Sequence, residues 1–337
     1  MKVLYAIQGT GNGHVSRARD IVPLLQQKTD LDILISGIQA DVSLPYPVAY
    51  QMKGMSFIFG KSGGVDLIET YRKTNTRELW KDIQQFPVEK YDLIINDFEP
   101  VSAWASYLKK TPCISLSHQS AILAAQSPQP KKTDAFGKMI LKRYAPSAMK
   151  YGFHFAAFDE NIFTPVIRKE IRDTEVKNKG HYTVYLPSYD DEKLIKRLKK
   201  ISDVKWHIFS KHTQKKYKVK NLRIKPINNE SFIKSLTSCE GILCGAGFET
   251  PAEALYLNKK LMVIPMKNQY EQHCNAAALD TLGIPVLKNL KKKHLPKIED
   301  WVQNGKSLAI NYPDITEEII DMVLSKHLSL QPQVKLV

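Results

Sequence analysis

The chain has 337 residues, of which 43% are hydrophobic and 25% are charged, and its formal net charge at pH 7 is +15. This length predicts two domains of ordinary size, each able to bury its own core. No run of 18 apolar residues occurs, which excludes a membrane-spanning helix. The four cysteines lack metal-ligand spacing and are expected to be reduced thiols.

The first segment predicts a buried strand over residues 3–7, then a glycine-rich turn and an amphipathic helix. We expect a strand here and no signal peptide. The turn contains Gly11 and Gly13, and His14 stands where a dinucleotide-binding fingerprint requires its third glycine. No Gly-Lys-Ser/Thr follows the turn, and no acidic residue closes the next predicted strand. A P-loop is therefore excluded and a Rossmann NAD site is disfavoured.

The next predicted strands alternate with helices or long loops, which indicates a parallel sheet. They cover residues 31–37, 47–53, 91–97, 111–117 and 153–158. Asp97 ends the segment YDLIIND, Glu99 follows it, and His118 follows ISLS. Because strand carboxyl ends face the ligand crevice in such sheets, we expect these side chains near the glycine turn.

Residues 131–146 carry apolar side chains at helical spacing, namely Phe136, Met139, Ile140 and Tyr144. Lysines and Arg143 lie between them. The pattern predicts either an interfacial helix on an anionic membrane or an ordinary surface helix with a core face. The other lysines are scattered over predicted helices and no nucleic-acid module is present, so nucleic acid is disfavoured as a partner.

Residues 244–276 read as a strand, a glycine-bearing turn, a helix, a second strand and another helix. Thr250 is the predicted N-cap, with Pro251 at the first helical position and Glu253 three residues after the cap. A helix N-terminus preceded by glycines collects unpaired N–H groups and a positive dipole end. The segment therefore predicts an anionic, nucleotide-linked ligand; the alternative is a capping box alone.

This segment resembles the donor-binding region of glycosyltransferases with the two-domain GT-B fold. These include the UDP-glycosyltransferases and the peptidoglycan GlcNAc transferase, which works on a lipid-linked acceptor. The resemblance rests on Gly247, Phe248, Thr250, Glu253, Glu271-Gln272 and Asn275-Ala276. The motifs GTGNGH and NDFEP are similar to those of uncharacterised bacterial members of this group.

The resemblance implies an α/β fold of two Rossmann-like, doubly wound parallel-sheet domains that face a cleft. The acceptor-side domain would cover residues 1–165. A proline and a run of charged residues within residues 160–180 predict a linker there. The nucleotide-sugar-binding domain would cover residues 180–310. A final helix within residues 311–330 would cross back to the first domain.

The resemblance also implies residue roles. The donor diphosphate would lie at the helix start, Glu253 would hold the ribose, and Glu271 with Gln272 would hold the sugar. The donor-binding set is therefore Gly11, Gly13, Gly245, Ala246, Gly247, Phe248, Thr250, Glu253, Glu271 and Gln272. Gly245 stands where many UDP-glycosyltransferases have histidine, so backbone groups are expected to replace that phosphate contact. The alternative for Glu271 and Gln272 is a solvated helix face.

In the same families the glycine-rich loop ends in a histidine that faces the acceptor, which makes His14 the candidate general base. An imidazole suits this role because its pKa lies near neutrality. Asp97 would orient it, and Glu99 and His118 are the next candidates. The alternatives are that His14 caps its helix or binds a loop carbonyl, and that Asp97 caps the following helix. Arg17 is expected to meet an acidic acceptor or to point into water.

Together these features predict an inverting, metal-independent glycosyltransferase. It would move a sugar from a nucleotide-diphosphate donor to a hydroxyl acceptor, and a UDP-sugar is the first candidate for the donor. The resemblance implies that this acceptor belongs to a lipid-linked or cell-envelope glycan. Asp190 and Asp191 are adjacent and do not form the Asp-X-Asp metal motif of the other major transferase fold, and no metal or cofactor is expected beside the donor substrate. The expected location is the cytoplasm, with peripheral contact with the inner membrane face. The alternatives are a UDP-GlcNAc 2-epimerase and a non-catalytic protein that binds nucleotide sugars or polyanions.

Overall fold

The computed structural model describes residues 1–10, 12–37, 43–54, 59–60, 64–65, 76–132 and 134–328. In this part of the chain, two mainly parallel sheets with intervening helices form an N-terminal unit and a C-terminal unit. The predicted α/β fold with two parallel sheets is confirmed. Among these residues no helix is both long and apolar enough to cross a membrane.

The N-terminal sheet has the strand order β3-β2-β1-β6-β7-β8-β9 in the described residues, and every neighbouring pair is parallel. The strands of this unit, including the separate β4–β5 pair, are β1 (Lys2–Gln8), β2 (Asp30–Ser36), β3 (Tyr50–Met52), β4 (Phe59–Gly60), β5 (Gly64–Val65), β6 (Leu93–Asp97), β7 (Cys113–Leu116), β8 (Met149–Phe153) and β9 (Ile162–Phe163). The core strand β1 is buried on both faces, as a continuous apolar run predicts. The strand predicted over residues 153–158 ends at Phe153 instead.

The helices of this unit are α1 (Asn12–Lys28), α2 (Thr76–Gln85), α3 (Pro100–Lys109), α4 (His118–Ile122), α5 (Ala135–Tyr144) and α6 (Lys169–Arg172). Helix α3 is capped by Glu99, whose carboxylate accepts hydrogen bonds from the backbone N–H groups of Val101 and Ser102, each at 2.7 Å. The alternative that Asp97 caps this helix is therefore wrong. Because β9 and α6 lie within residues 160–180, that predicted linker contains ordered elements.

The C-terminal sheet has the order β12-β13-β11-β10-β14-β15 in the described part of the chain, and only the β12–β13 pair is antiparallel. Its strands are β10 (His181–Tyr185), β11 (Lys205–Ser210), β12 (Tyr217–Val219), β13 (Leu222–Pro226), β14 (Gly241–Gly245) and β15 (Lys260–Ile264). Its helices are α7 (Asp191–Leu198), α8 (Asn229–Ser238), α9 (Glu249–Tyr256), α10 (Tyr270–Thr281) and α11 (Leu295–Asn304).

Helix α9 starts one residue before the predicted N-cap. Phe248 already has helical dihedral angles (φ −94°, ψ −56°) and makes no side-chain cap. Thr250 is therefore the second helical residue and Pro251 the third, so the predicted capping role of Thr250 is wrong. The N–H groups of the first turn consequently have no side-chain cap from the N-cap residue.

The last described helix, α12 (Thr316–Leu328), packs against α1 of the N-terminal unit. Lys28 Nζ contacts Glu317 Oε1 at 3.0 Å and Asp321 Oδ1 at 2.8 Å. Ile320 and Val323 are fully buried in the core that α12 shares with α1. This helix therefore ties the end of the described chain to its beginning.

Candidate active site

The cleft lies where the carboxyl ends of both sheets meet. His14 opens into it from the first turn of α1, and Asp97 is the last residue of β6. From the other side, the turn between β14 and α9 and the loop between β15 and α10 approach the same place. This arrangement follows from parallel strands, whose carboxyl ends share one edge of the sheet.

His14 and Asp97 form a hydrogen-bonded pair in this cleft. Asp97 Oδ1 lies 2.9 Å from His14 Nδ1, and Asp97 is fully buried. A carboxylate can only accept, so Nδ1 carries the hydrogen. Nε2 then keeps its lone pair, and the Gln119 amide Nε2 donates to it at 3.3 Å. The tautomer is the one that a general base needs.

The surroundings move the pKa values of this pair in opposite directions. Burial lowers the pKa of His14, but the charge of Asp97 and its hydrogen bond outweigh burial, and the net shift is upward. Burial raises the pKa of Asp97, but Arg17 and His14 outweigh it and the net shift is downward. Asp97 therefore stays ionised, and the pKa of His14 lies above the usual value for histidine.

Arg17 does not point into water, which was one of the two alternatives expected for it. Its guanidinium is buried, and Nη2 donates to both oxygens of Asp97 at 2.8 Å. Nη1 donates to Glu249 Oε1, at the start of α9 in the C-terminal unit. A Cβ on Gly13 would lie 2.5 Å from Glu249 Oε2, so glycine leaves room for this carboxylate. Arg17 thus joins the His14–Asp97 pair to the other unit.

A cavity of about 300 Å³ lies beside His14, between the two units. The N-terminal unit contributes Phe98 and Gln119 to it, along with Phe136 and Ile140 of α5. The C-terminal unit contributes Gln269, Tyr270 and Glu271. His14 and Glu271 therefore face one space from opposite units.

Gln119 connects the two units across this cavity. Its Nε2 also donates to Glu271 Oε2 at 3.0 Å, beside the bond to His14. Burial raises the pKa of Glu271, and the Gln119 hydrogen bond only partly offsets this effect. Sequence reasoning did not select Gln119, although it follows His118 at the carboxyl end of β7. That position was the available signal.

Gln272 and Gly245 lie behind the cavity. Gln272 Oε1 accepts the backbone N–H of Met266 at 2.9 Å, which holds the loop between β15 and α10. A Cβ on Gly245 would lie 3.5 Å from Gln272 Oε1, so the two residues pack closely. In this structure Gln272 therefore positions its loop.

The turn before α9 is attached to the N-terminal unit. The Phe248 ring stacks on His118, with centroids 3.9 Å apart. Asn275 Oδ1 lies 2.7 Å from His118 Nε2, and Asn275 Nδ2 donates to the Ala246 carbonyl at 3.1 Å. Around Gly247 no atom would lie within 4 Å of an added Cβ, so the turn has open space at this point.

His118 is a contact between the units and is not free for proton transfer. Its Nδ1 lies 2.7 Å from the Phe153 carbonyl oxygen, and burial lowers its pKa to about 3. Glu99 is likewise occupied, because Ser36 and Ser102 donate to it in addition to the backbone of α3. We therefore remove both residues from the catalytic candidates.

Glu253 faces an arginine. Arg168 Nε and Nη2 donate to its two oxygens, the second at 2.9 Å, and only 2% of Glu253 is exposed. Arg168 Nη1 also donates to Asn229 Oδ1 at 2.8 Å. A ribose contact would require this ion pair to open or to share an oxygen. Gly11, also assigned to donor binding, lies outside the described residues.

Helix α5 has a buried face and also exposes apolar side chains. Leu141 and Tyr144 are buried, while Phe136 is 56% and Met139 is 42% exposed. Phe136 and Ile140 line the cavity, which the sequence pattern did not predict. Within the residues that the structure describes, no cluster of three His, Cys, Asp or Glu side chains could hold a metal ion.

Comparisons with known proteins agree with this architecture. A family model described as Glycosyl transferase family 1 matches residues 1–304. MurG from Acinetobacter baumannii is similar in structure (TM-score 0.57, 15% identity, 96% of this chain and 99% of that chain). So is Os79 from O. sativa in complex with UDP (TM-score 0.61, 12% identity, 98% and 96%).

A third similar structure is the spinosyn rhamnosyltransferase SpnG complexed with thymidine diphosphate (TM-score 0.56, 10% identity, 98% and 97%). At these identities the similarity concerns the fold alone. A search of curated proteins by sequence found no match.

Proposed function

The chain belongs to glycosyl transferase family 1, and we propose that it is an inverting, metal-independent enzyme that uses a UDP-sugar and a hydroxyl acceptor. The observation that carries this proposal is the His14–Asp97 pair beside a cavity that Glu271 closes from the other unit. A base on one side of a cleft and a sugar-binding carboxylate on the other suit a single displacement at the anomeric carbon.

In the proposed reaction, the acceptor oxygen attacks the anomeric carbon while its proton passes to His14 Nε2. The bond from the anomeric carbon to the diphosphate oxygen breaks on the opposite face, which inverts the configuration. Asp97 holds the His14 ring and stabilises the imidazolium that forms, as carboxylates do beside catalytic histidines. Such general base catalysis contributes roughly 10²–10⁴-fold to the rate.

The leaving diphosphate would lie at the turn that precedes α9. The backbone is open there at Gly247, and α9 directs its N-terminal N–H groups and dipole toward this turn. These groups would bind the negative charge without a cation. The complexes of similar structures with UDP and thymidine diphosphate support a nucleoside diphosphate, with UDP as our first choice.

Helix α5 would provide peripheral contact with an anionic membrane at the cavity mouth. Phe136 and Met139 are exposed on it, and Lys138, Lys142 and Arg143 are exposed beside them. Apolar side chains among cations favour the surface of an anionic bilayer. A cell-envelope acceptor with a lipid portion could reach the cavity from this side. The cytoplasmic face of the membrane is the proposed location.

The test of this function combines donor binding with turnover. UDP should raise the thermal unfolding temperature more than GDP or thymidine diphosphate does. Substitution His14→Ala should lower sugar transfer by at least ~10²-fold while UDP affinity is retained, because only the proton acceptor is lost.

Three results would contradict the proposal. One is near-wild-type turnover of His14→Ala. Another is the absence of a thermal shift with any nucleoside diphosphate. The third is formation of an isomeric nucleotide sugar from UDP-GlcNAc alone, which would assign an epimerase instead.

A further inference from the structure

The cavity beside His14 differs in charge from the rest of the protein. The chain carries 49 Lys and Arg residues and a net charge of +15. Among the described residues that line the cavity, however, none is Lys or Arg, and two are the carboxylates Asp134 and Glu271. His14 is the titratable nitrogen group in this lining, and as a base it must be neutral. The cavity is therefore poor in groups that could bind an anion.

Two buried polar atoms of the cavity lining are hydrogen-bond acceptors. Gln119 Oε1 and Gln269 Oε1 are buried without a hydrogen-bond partner in the part of the chain that the structure describes. The donor end of Gln119 is already used by His14 and Glu271. Buried polar atoms are normally paired, so these oxygens indicate a ligand that supplies hydrogen-bond donors.

The other wall of the cavity is apolar. It is formed by Phe98, whose ring stacks on Tyr144 at 4.6 Å, and by Phe136, Ile140 and Leu141. Phe136 continues this wall out to the protein surface, where it is exposed. An apolar wall opposite a few polar atoms orients a ligand that has one polar edge and one apolar side.

From these features we propose that the cavity binds an uncharged glycoside as the acceptor. Its hydroxyl groups donate to Gln119 Oε1 and Gln269 Oε1, and its apolar portion lies along α5. One further hydroxyl loses its proton to His14 as its oxygen bonds to the donor anomeric carbon and the nucleoside diphosphate leaves. This inference rests on the proposed function, and it adds the class of acceptor.

The same contacts select against anionic acceptors. A carboxylate or phosphate presents acceptor oxygens, which cannot pair with the oxygens of Gln119 and Gln269. It would also bring negative charge toward Asp134 and Glu271, and like charges at an interface suppress binding of the wrong partner.

The experiment compares two probes of matched size, n-octyl β-D-glucoside and n-octyl β-D-glucuronide. Both are titrated below their micelle concentrations against the full chain saturated with UDP, and binding is followed by calorimetry. The glucoside should bind, and the glucuronide should bind at least ~10-fold more weakly. In a transfer assay with a UDP-sugar, the glucoside should be the better acceptor by a similar factor.

Two variants make the test specific. Gln269→Lys supplies a donor and a positive charge, so it should reduce or reverse the preference for the glucoside. Lys267→Ala changes an exposed residue of the same loop and should leave the preference unchanged. Equal binding of both probes, binding of neither, or an unchanged preference in Gln269→Lys would overturn the inference. UDP binding is measured separately, so its loss would instead reject the proposed function.

Discussion

At the scale of single residues, the site depends on how one buried carboxylate is shared. Asp97 accepts from His14 on one side and from Arg17 on the other. Arg17 keeps Asp97 ionised, and Asp97 in turn keeps the hydrogen of His14 on Nδ1. A buried charge without a partner is strongly unfavourable, so Arg17 and Asp97 depend on each other, and His14 depends on Asp97.

Substitution Asp97→Asn should change the pH dependence of transfer. His14 acts as a base only when neutral, so the rate rises with pH through its pKa. Asp97 raises that pKa, so the wild-type midpoint should lie above the ordinary histidine value. The Asn variant should move the midpoint to lower pH and reduce the maximal rate by at least ~10²-fold. An unmoved midpoint in the pH profile of kcat/KM would show that Asp97 does not govern His14.

At the scale of secondary structure elements, helix α9 has two features. Its N-terminus is the proposed site for the diphosphate, and its Glu253 forms a buried ion pair. Its N-terminus points toward the cleft, whereas Glu253, one turn later, faces Arg168 from the segment that precedes α6. Removing one partner of a buried pair leaves the other charge unpaired, and this typically costs more than the pair itself contributes.

Glu253→Gln should therefore lower the free energy of unfolding by about 3 kcal/mol, measured with urea. The double variant Glu253→Gln/Arg168→Met should regain part of this loss, because no unpaired charge remains. UDP affinity is measured on both variants at a temperature where they stay folded. Affinity that is weakened in both supports the ribose role of Glu253. Affinity that is unchanged in both would leave Glu253 with a structural role only.

The exposed face of α5 gives a second prediction at this scale. Met139→Ser removes an exposed apolar side chain that does not line the cavity. Sedimentation with vesicles that contain anionic lipid should show weaker binding than for the wild type, while transfer to n-octyl β-D-glucoside in solution is unchanged. Ser202→Thr, a change on a distant loop, serves as the control. Equal vesicle binding by Met139→Ser and wild type would contradict membrane contact through this face.

At the scale of the whole molecule, several buried contacts join the two units near the cleft. His118 stacks on Phe248 and contacts Asn275, and Arg17 binds Glu249. These contacts hold the turn before α9 against the N-terminal unit, so the proposed diphosphate position and the proposed base belong to one connected network.

Asn275→Ala tests this connection. The substitution leaves the His118 ring nitrogen and the Ala246 carbonyl without their partner, and each buried unpaired group costs ~1–3 kcal/mol. We expect a lower free energy of unfolding and weaker UDP binding, since the Ala246 turn is released. Gln303→Ala, an exposed change on α11, is the matched control for both measurements. Wild-type UDP affinity in a destabilised Asn275→Ala variant would separate the turn from donor binding.

Local sequence patterns determined the fold class and the placement of His14, Asp97 and the turn before α9. Runs of apolar residues define buried parallel strands, and polar residues at their carboxyl ends must share one edge of the sheet. The tertiary structure decided the partners. Only the tertiary structure shows that Asp97, and not Glu99, is hydrogen-bonded to His14. It also shows the ion pairs of Arg17 with Glu249 and of Arg168 with Glu253. These pairs join residues far apart in the chain, and no local spacing encodes the way in which two separate sheets meet.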